Sequence, residues 1–125
     1  MQQLQFEAAW NKTLCTEDRE LIQTIFNETK NVDNSGIHFS PIREAFNHKK
    51  ELLVTVLIHN FTQNPYMFDN TRIVYENTQE IIAEKLFTFK SLVIPPFVSI
   101  PWTFIFPEDS YTKKTSLSNG QLRIG

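Results

Sequence analysis

The stretch Val98-Ser-Ile-Pro-Trp-Thr-Phe-Ile-Phe106 decides the fold of this 125-residue chain. Pro95 and Pro96 precede it and Pro107 follows it, so the segment stands apart as one element. Apolar side chains recur at every second position, which in an extended backbone places all of them on one face. They are Val98, Ile100, Trp102, Phe104 and Phe106. The pattern predicts a core strand whose apolar face is covered by a second layer.

Residues 51–60 are the best candidate for the central strand of the sheet. Both faces of this segment are largely apolar, which is typical of a strand that is covered on both sides. One face carries Leu52, Val54, Val56 and Ile58, and the other carries Leu53, Thr55, Leu57 and His59. We therefore expect a second sheet on one face of this strand and a helix on the other.

Further extended segments lie along the rest of the chain. They are residues 37–46, 66–68, 71–76, 81–89 and 120–124. Pro41 interrupts the first of them, and because proline donates no ladder hydrogen bond, it predicts an edge strand or a bulge. Short strands separated by turns, without a helix repeating between them, are typical of a sandwich or a small barrel. The predicted fold class is mainly β, an immunoglobulin- or fibronectin-like β-sandwich with its strands in residues 37–124.

The N-terminal part of the chain, residues 1–31, is predicted to hold an extended arm and one amphipathic helix. Apolar residues of the arm alternate with mostly polar ones, which indicates a short strand or an extended segment. These apolar residues are Leu4, Phe6, Ala8 and Trp10. Trp10 is either an anchor for a partner or part of the domain's own core, and the large area of an aromatic side chain favours the core.

The helix is predicted over about residues 16–30. Thr16 is its expected N-cap, and Glu17 and Asp18 place negative charge in the first turn. Its apolar stripe is wide enough to cover one apolar surface and no more. The stripe consists of Leu21, Ile22, Ile25 and Phe26. The helix is therefore expected to lie on the sheet, with its polar face in solvent.

Composition and charge indicate one folded domain, residues 1–125, and exclude several classes of function. A chain of this length buries roughly two-thirds of its unfolded surface in a single core. The formal charge of −2 is not that of a nucleic-acid-binding protein, which is typically basic. The first residues lack the basic and apolar regions of a signal peptide. No apolar run approaches the roughly 20 residues of a membrane span.

Residues able to carry chemistry are few and scattered. The histidines His38, His48 and His59 lack the spacing of metal ligands, and the chain has no glycine-rich phosphate-binding loop. Cys15 is the single cysteine, and its position before a helix favours a thiolate. We expect no catalytic residue, no metal, no cofactor and no small-molecule ligand. The alternative is an enzyme or a small-molecule-binding β domain whose site brings Cys15, His38 and His59 together.

Three segments that follow a tryptophan and an acidic helix carry a family resemblance. They are residues 53–60, 82–89 and 94–107. In this order they resemble the SLAP domain of the accessory Sec system S-layer assembly proteins of Bacillus and related Firmicutes, over roughly residues 10–124. The most specific matches are Asn60, Pro101, Trp102 and Phe104. One departure is His59, where the resemblance implies an arginine.

The motif residues are interpreted as structural. Pro101 is predicted to lie at a bulge that re-aims the strand, and Trp102 is predicted to fill the space between layers. The short amide of Asn60 is expected to bond the backbone of the following turn. No catalytic role is carried over to any of them.

The resemblance implies a non-enzymatic protein-interaction module that assists accessory Sec-dependent secretion and assembly of S-layer proteins. Its partner would be a component of the secretion machinery, an S-layer protein or a second copy of the domain. The expected location is the cytoplasm, with association with the cell envelope as an alternative. A cell-wall or adhesion module would instead require an export signal upstream of residue 1.

The predicted partner-binding edge is Tyr66, Met67 and Phe68, directly after Pro65. Proline is confined to edges and bulges in sheets, and an unpaired edge can accept an extended strand from a partner. The alternative is that the N-terminal arm or the helix covers this edge, since natural sheets usually protect their edges.

Overall fold

The computed structural model of the chain describes residues 2–31, 35–78, 80–112 and 120–125. Two helices lie near the N-terminus, α1 Ala8–Thr13 and α2 Thr16–Thr29. The strands are β1 Gln3–Leu4, β2 Ile37–Phe46, β3 Leu52–Asn60, β4 Tyr66–Met67, β5 Thr71–Glu76, β6 Ile81–Phe87, β7 Val93–Ile94, β8 Val98–Phe106 and β9 Gln121–Ile124. The fold is therefore mainly β, as the alternating patterns predict.

β3 lies at the centre of a four-stranded sheet, as its two apolar faces predict. The strand order is β1-β8-β3-β2, with β3 antiparallel to both of its neighbours and β1 parallel to the start of β8. The hairpin between β2 and β3 is closed by Asn47, whose side-chain oxygen accepts from the backbone N–H groups of Lys49 and Glu51. The two segments with the clearest sequence patterns are thus paired in the middle of the sheet.

One face of this sheet carries an aromatic core. Val98, Ile100, Phe104 and Phe106 of β8 are buried in it, and Trp102 is half-buried beside them, so the predicted alternation is confirmed. The ring of Phe104 lies 5.2 to 5.8 Å, between ring centroids, from the rings of Phe39, Phe68 and Phe87. All three pairs are T-shaped, the edge-to-face arrangement that aromatic rings favour.

The opposite face of the sheet is covered by α2, as predicted for the second face of β3. Ile22 and Phe26 pack on Leu57, with Ile25 partly buried beside them. Leu21, the fourth residue of the predicted stripe, is 39% exposed. The helix therefore covers the sheet with a narrower stripe than the sequence predicts.

The start of α2 is fixed to the sheet by an ion pair. Thr16 is its first helical residue, so the N-cap is Cys15 and not Thr16, and no side chain closes this cap. Asp18 in the first turn accepts a hydrogen bond from Arg43 of β2, with 2.7 Å between Nη2 and Oδ1. The Arg43 hydrogen bond holds the pKa of Asp18 below its usual value.

The N-terminal arm is shorter than predicted, and two helices follow it instead of one. Only Gln3–Leu4 is a strand, whereas Ala8 and Trp10, which we expected to be extended, lie in α1. The Glu7 carboxylate caps this helix by accepting from the Ala9 N–H at 3.1 Å, and a capped turn satisfies backbone donors that an extended arm would leave to water. Trp10 packs on the domain's own apolar residues, as expected.

The other strands form a three-stranded sheet and a two-stranded ladder. β5 lies between β6 and β9, and β4 pairs with β7. The three-stranded sheet approaches β2, where the Gln121 side-chain N–H donates to the Phe39 carbonyl at 2.7 Å. The sheets are curled and the strands pair in three groups, so an immunoglobulin- or fibronectin-like two-sheet sandwich is not confirmed.

Two prolines of the four-stranded sheet, one in β2 and one in β8, lie on the sides of these strands that face away from β3. The carbonyls of Phe97 and Ser99 accept hydrogen bonds from the backbone N–H groups of the arm. The backbone groups of the odd-numbered residues of β8, including the nitrogen of Pro101, therefore point away from β3. The Phe39 carbonyl also faces away from β3, which places Pro41 on the outer side of β2. Neither proline removes a bond from the interior of the sheet, because its missing N–H points outward.

The bulge that the prolines predict lies in only one of the two strands. The pairing of β3 with β8 keeps a single register from Leu52 to His59, so the bulge predicted at Pro101 is absent from it. The register of β2 with β3 shifts by one residue between Pro41 and Arg43. The prediction for Pro41 is therefore confirmed, both as an edge residue and as a bulge.

Candidate functional site

A buried polar cluster lies at the end of the four-stranded sheet where α2 ends. Among the described residues, the buried polar ones are Ser40, His59, Asn60 and Ser99. They come from β2, β3 and β8, and His38, His59 and Ser99 are aligned across these strands. Burying a polar group costs free energy unless it is hydrogen-bonded, so the partners of these side chains decide what the cluster does.

His59 has no exposed surface, and both of its ring nitrogens are hydrogen-bonded. Nδ1 lies 2.6 Å from Ser99 Oγ, and Nε2 lies 2.9 Å from Thr29 Oγ1 and 3.0 Å from Ser40 Oγ. Ser99 Oγ also accepts from the Gln2 side-chain N–H at 3.0 Å. The imidazole therefore joins the N-terminal arm and the last turn of α2 to three strands of the sheet.

The donors in this chain of hydrogen bonds all point in one direction. The Thr29 hydroxyl donates its only proton to the Ile25 carbonyl at 2.7 Å, so it acts as an acceptor towards His59. Nε2 of His59 therefore carries the ring proton, and Nδ1 accepts the proton of the Ser99 hydroxyl. The chain runs from Gln2 through Ser99, His59 and Thr29 to the Ile25 carbonyl, and it is complete with a neutral imidazole.

The surroundings of His59 keep its ring neutral. Burial, followed by the charge of His38, lowers the pKa of His59 to about 4. The two histidine rings lie 6.0 Å apart, and Phe61 stacks on His59 at 5.0 Å, both measured between ring centroids. Burial also lowers the pKa of His38. His59 is therefore uncharged at neutral pH and does not supply the cation that the family resemblance implies at this position.

Asn60 forms a second buried network at the end of β3. Its Nδ2 group donates to the carbonyls of Asn64, Ile94 and Pro95 at 2.8, 3.0 and 3.2 Å. Its Oδ1 accepts from the backbone N–H and the hydroxyl of Thr62 at 3.0 and 2.7 Å. The amide thus holds the turn after β3 against the segment that leads into β8.

Trp102 links the N-terminal helix to the aromatic core. Its ring stacks against Trp10 at 6.5 Å and meets the edge of Phe89 at 5.4 Å, again between centroids. Its Nε1 atom is buried and has no hydrogen-bond partner among the described residues. The residue fills space beside the core, and its neighbour Pro101 is buried on the face that α2 covers.

The alternative site built from Cys15, His38 and His59 is not assembled. The two histidines are neighbours, but Cys15 is exposed at the start of α2, whereas Thr29, which binds His59, ends that helix. Since a helix rises about 1.5 Å per residue, roughly 20 Å separate the thiol from the histidines. Within the described ranges, no group of three or more His, Cys, Asp or Glu side chains is placed to hold a metal ion.

The predicted partner-binding edge divides into an exposed and a buried part. Met67 is exposed and Tyr66 is half-buried, but Phe68 has no exposed surface and belongs to the aromatic core. Met67 lies opposite Val93 in the β4–β7 ladder, and each of the two is 49% exposed. A cleft of about 340 Å³ lies beside them, lined by Met67, Phe68, Asp69, Thr88 and Lys90. The edge stays a prediction, with Met67 and not Phe68 as the residue able to touch a partner.

Sequence reasoning misses four members of the His59 network. They are Gln2, Thr29, Ser40 and Ser99. The sequence does indicate that such a network exists. His59 lies on a face of the central strand that is predicted to be covered, and a buried imidazole needs hydrogen-bond partners. The identity of these hydrogen-bond partners depends on the register of β2 and on the residue at which α2 ends. Neither can be predicted from the spacing of residues in the sequence.

These elements define a class, a curled and mainly β domain with helices on one face of its larger sheet and an aromatic core on the other. The chain belongs to the SLAP domain family, whose model matches residues 4–124, and this confirms the resemblance seen in the motifs. No curated protein and no solved structure gives a significant match. In the part of the chain that the structure describes, no helix combines the length and the apolar composition needed to cross a membrane.

Proposed function

We infer that this SLAP domain is a non-enzymatic protein-interaction module that assists accessory Sec-dependent secretion and assembly of S-layer proteins. The observation that carries the inference is the family match over residues 4–124. The partner is a component of the secretion machinery, an S-layer protein or a second copy of the domain, met on the cytoplasmic side of the envelope. The hydrogen bonds of the buried His59 and Asn60 networks join elements of the domain to one another, so we assign these two networks a structural role.

The surface that best suits such a partner is the β4 edge around Met67. β4 has a single strand neighbour, β7, among the described residues, and we propose that a partner adds an extended strand on its other side. Met67 and Val93 form an exposed apolar pair beside the cleft. The flexible, polarizable side chain of methionine adapts to differently shaped partners. This suits a module that receives extended segments of more than one client.

The test is affinity capture from a Firmicute that has an accessory Sec system, with the bound proteins identified by mass spectrometry. The parent domain is compared with Met67→Asp and Val93→Asp, and with a matched control, Leu86→Asp, at a position of β6 that is 56% exposed. We expect the parent and the control to enrich an accessory Sec component or an S-layer protein, and the two edge variants to lose most of that enrichment.

The possible outcomes test the proposed function and the proposed binding surface separately. If none of the four proteins enriches a secretion component or an S-layer protein, the proposed function is wrong. If all four enrich the same partner equally, the function stands and the β4 edge is not the surface.

A further inference from the structure

The second half of β2 is an exposed sheet edge. In the part of the chain that the structure describes, β2 pairs with β3 alone. β9 approaches the first half of its outer side, where Gln121 donates to the Phe39 carbonyl. Beyond the bulge, every residue from Arg43 to Phe46 is exposed, and the aromatic Phe46 is 53% exposed. This half of the strand is therefore accessible to a partner.

The register shows which backbone groups this edge offers. The even-numbered residues of β8 bond to β3, so Leu52 and Val54, which lie opposite two of them, direct their backbone groups towards β8. Phe46 and Glu44 lie opposite Leu52 and Val54 on the other side of β3, and their N–H and C=O groups therefore point away from the sheet. None of these groups has a hydrogen-bond partner among the described residues. Alternating donors and acceptors of this kind are what an extended polypeptide pairs with.

A cleft of about 370 Å³ lies beside this edge. It is lined by Phe46, Asn47, Lys50, Glu108 and Tyr111. The rings of Phe46 and Tyr111 are 5.5 Å apart between centroids, so the cleft has aromatic walls. A residue of an added strand that lies directly opposite Phe46 projects its side chain from the same face of the sheet as the Phe46 ring. That side chain therefore reaches the cleft.

Lys50 lines the cleft in a backbone conformation that is unfavourable for lysine. Its φ is 61°, in the left-handed region that favours glycine. The Lys50 N–H donates to the Asn47 carbonyl at 3.0 Å, and the Lys50 carbonyl accepts from the Tyr111 hydroxyl at 2.6 Å. Residues held in strained conformations concentrate at binding sites. A lysine at this position brings a cation to the aromatic cleft at a cost in backbone strain.

The side chains of this edge define the chemistry of its occupant. The aromatic walls favour an aromatic ring in the cleft, and the Lys50 ammonium is attracted to the face of such a ring. Glu44 lies two residues before Phe46, on the same face of β2. Opposite charges that face each other across a sheet stabilise the pairing, so Glu44 favours a basic residue opposite it.

We propose that the edge of β2 from Arg43 to Phe46 binds an extended polypeptide segment that carries an aromatic residue and, two positions away, a lysine or arginine. The backbone of the segment pairs with Glu44 and Phe46, and its aromatic ring occupies the cleft. This edge belongs to a different sheet from β4. The proposal therefore goes beyond the proposed function and does not depend on a secretion partner.

The probe is the peptide acetyl-Thr-Lys-Thr-Phe-Thr-Lys-Thr-amide, which has a lysine two positions to either side of the ring and so fits in both strand directions. It is titrated into the isotope-labelled domain and followed by NMR. We expect the amide signals of Glu44 and Phe46 to shift and their exchange with solvent to slow, because both N–H groups gain an acceptor. Replacing the peptide's phenylalanine by alanine should weaken binding about tenfold.

Charge variants test the basic residue of the segment. Glu44→Lys should weaken binding of this peptide, and a peptide with glutamate in place of both lysines should bind the variant more tightly than it binds the parent. The matched control is Glu20→Lys, which makes the same change in net charge on α2 and should leave both affinities unchanged. Glu44 and Glu20 are both exposed, so neither substitution disturbs the core.

Three results would each overturn the proposal. The first is a phenylalanine peptide that shifts neither the Glu44 nor the Phe46 amide at millimolar concentration. The second is equal affinity for the phenylalanine and alanine peptides. The third is a set of shifts confined to β4 around Met67, which would assign strand binding to that edge alone.

Discussion

The two faces of the four-stranded sheet are built from alternate residues of the same strands, yet they are held together in different ways. The core face packs aromatic rings such as those of Phe39, Phe87 and Phe104, each with several ring neighbours. The other face ends in a buried polar network of hydrogen bonds, as at His59 and Ser99. Packing energy is spread over many small contacts, whereas a buried hydrogen-bond network is costly when one of its members loses its partner. Substitutions on the aromatic face should therefore lower the stability of the fold by removing side-chain volume. Substitutions on the polar face should lower it by removing hydrogen-bond donors or acceptors.

The largest effect is expected from truncating the centre of the aromatic face. Phe104→Ala removes a fully buried ring and leaves a cavity, so the free energy of unfolding should fall by about 3–5 kcal/mol. Urea unfolding measures this loss. The matched control is Phe46→Ala, at a ring that is 53% exposed, which should cost less than about 1 kcal/mol. Equal losses in the two variants would show that the aromatic face is not the main support of the fold.

Asn60→Ala should have the next largest effect, through hydrogen bonding and not through volume. It leaves the carbonyls of Ile94 and Pro95 without the donor that the amide supplies, at a cost of about 2–3 kcal/mol. Chemical denaturation measures it. Asn64→Ala is the control, because Asn64 joins this network through its backbone carbonyl, which the substitution preserves. Similar stabilities for the two variants would contradict the role assigned to the Asn60 side chain.

The free energy of unfolding should depend on pH because of His59, on the polar face of the sheet. The pKa of His59 is about 4 in the folded protein and has an ordinary value of 6.5 in the unfolded chain, so the unfolded state takes up the proton first as the pH falls. The stabilisation is complete above pH 6.5 and is lost on the way down to about pH 4, by about 3 kcal/mol. Unfolding free energies at several pH values, compared with those of His59→Gln, isolate this loss from that of the carboxylates. A parent and a variant with parallel pH profiles would contradict it.

The smallest effect is expected where the polar contact lies near solvent. Thr55 Oγ1 and Thr103 Oγ1 are 2.8 Å apart on neighbouring strands and are partly buried. Thr55→Val should cost about 1 kcal/mol, because the Thr103 hydroxyl loses its partner. The double variant with Thr103→Val should cost less than the sum of the two single variants, and a double-mutant cycle measures this coupling. Additive losses would show that the two hydroxyls do not depend on each other.

The parts of the fold that could be predicted are those that follow from local periodicity. The alternation of β8, the two apolar faces of β3 and the stripe of α2 each depend on residues a few positions apart, and all three are present in the structure. Pro41 adds a local rule, since a missing donor restricts the residue to an edge or a bulge. Such features need no knowledge of what lies across the sheet.

The His59 network could not be predicted because it depends on one extra residue in β2. Counting back from the hairpin, where Phe46 pairs with Leu52, an unbroken ladder would place His38 opposite Asn60. The bulge after Pro41 shifts the register by one, so His38 faces His59 instead. A shift of one residue moves every following side chain to the other face. Proline allows a bulge, but it does not fix how many residues the bulge contains.

The short helix α1 was missed for a different reason. Its six residues are fewer than two full turns, so no helical period is visible, and the alternation from Leu4 to Trp10 suggests a strand. The informative residue is Glu7, whose carboxylate caps the helix. A single capping residue is too common a signal to outweigh four alternating apolar positions.

The outward-facing prolines of β2 and β8 have a consequence for behaviour at high concentration. Growth of a sheet from one molecule to the next, as in an amyloid fibre, requires an edge that offers an uninterrupted row of donors and acceptors. Pro41 on the outer side of β2 and Pro101 on the side of β8 that faces away from β3 each interrupt such a row. A foreign strand can therefore add only over a short stretch to either side of a proline. The two prolines therefore limit the growth of this sheet from one molecule to the next.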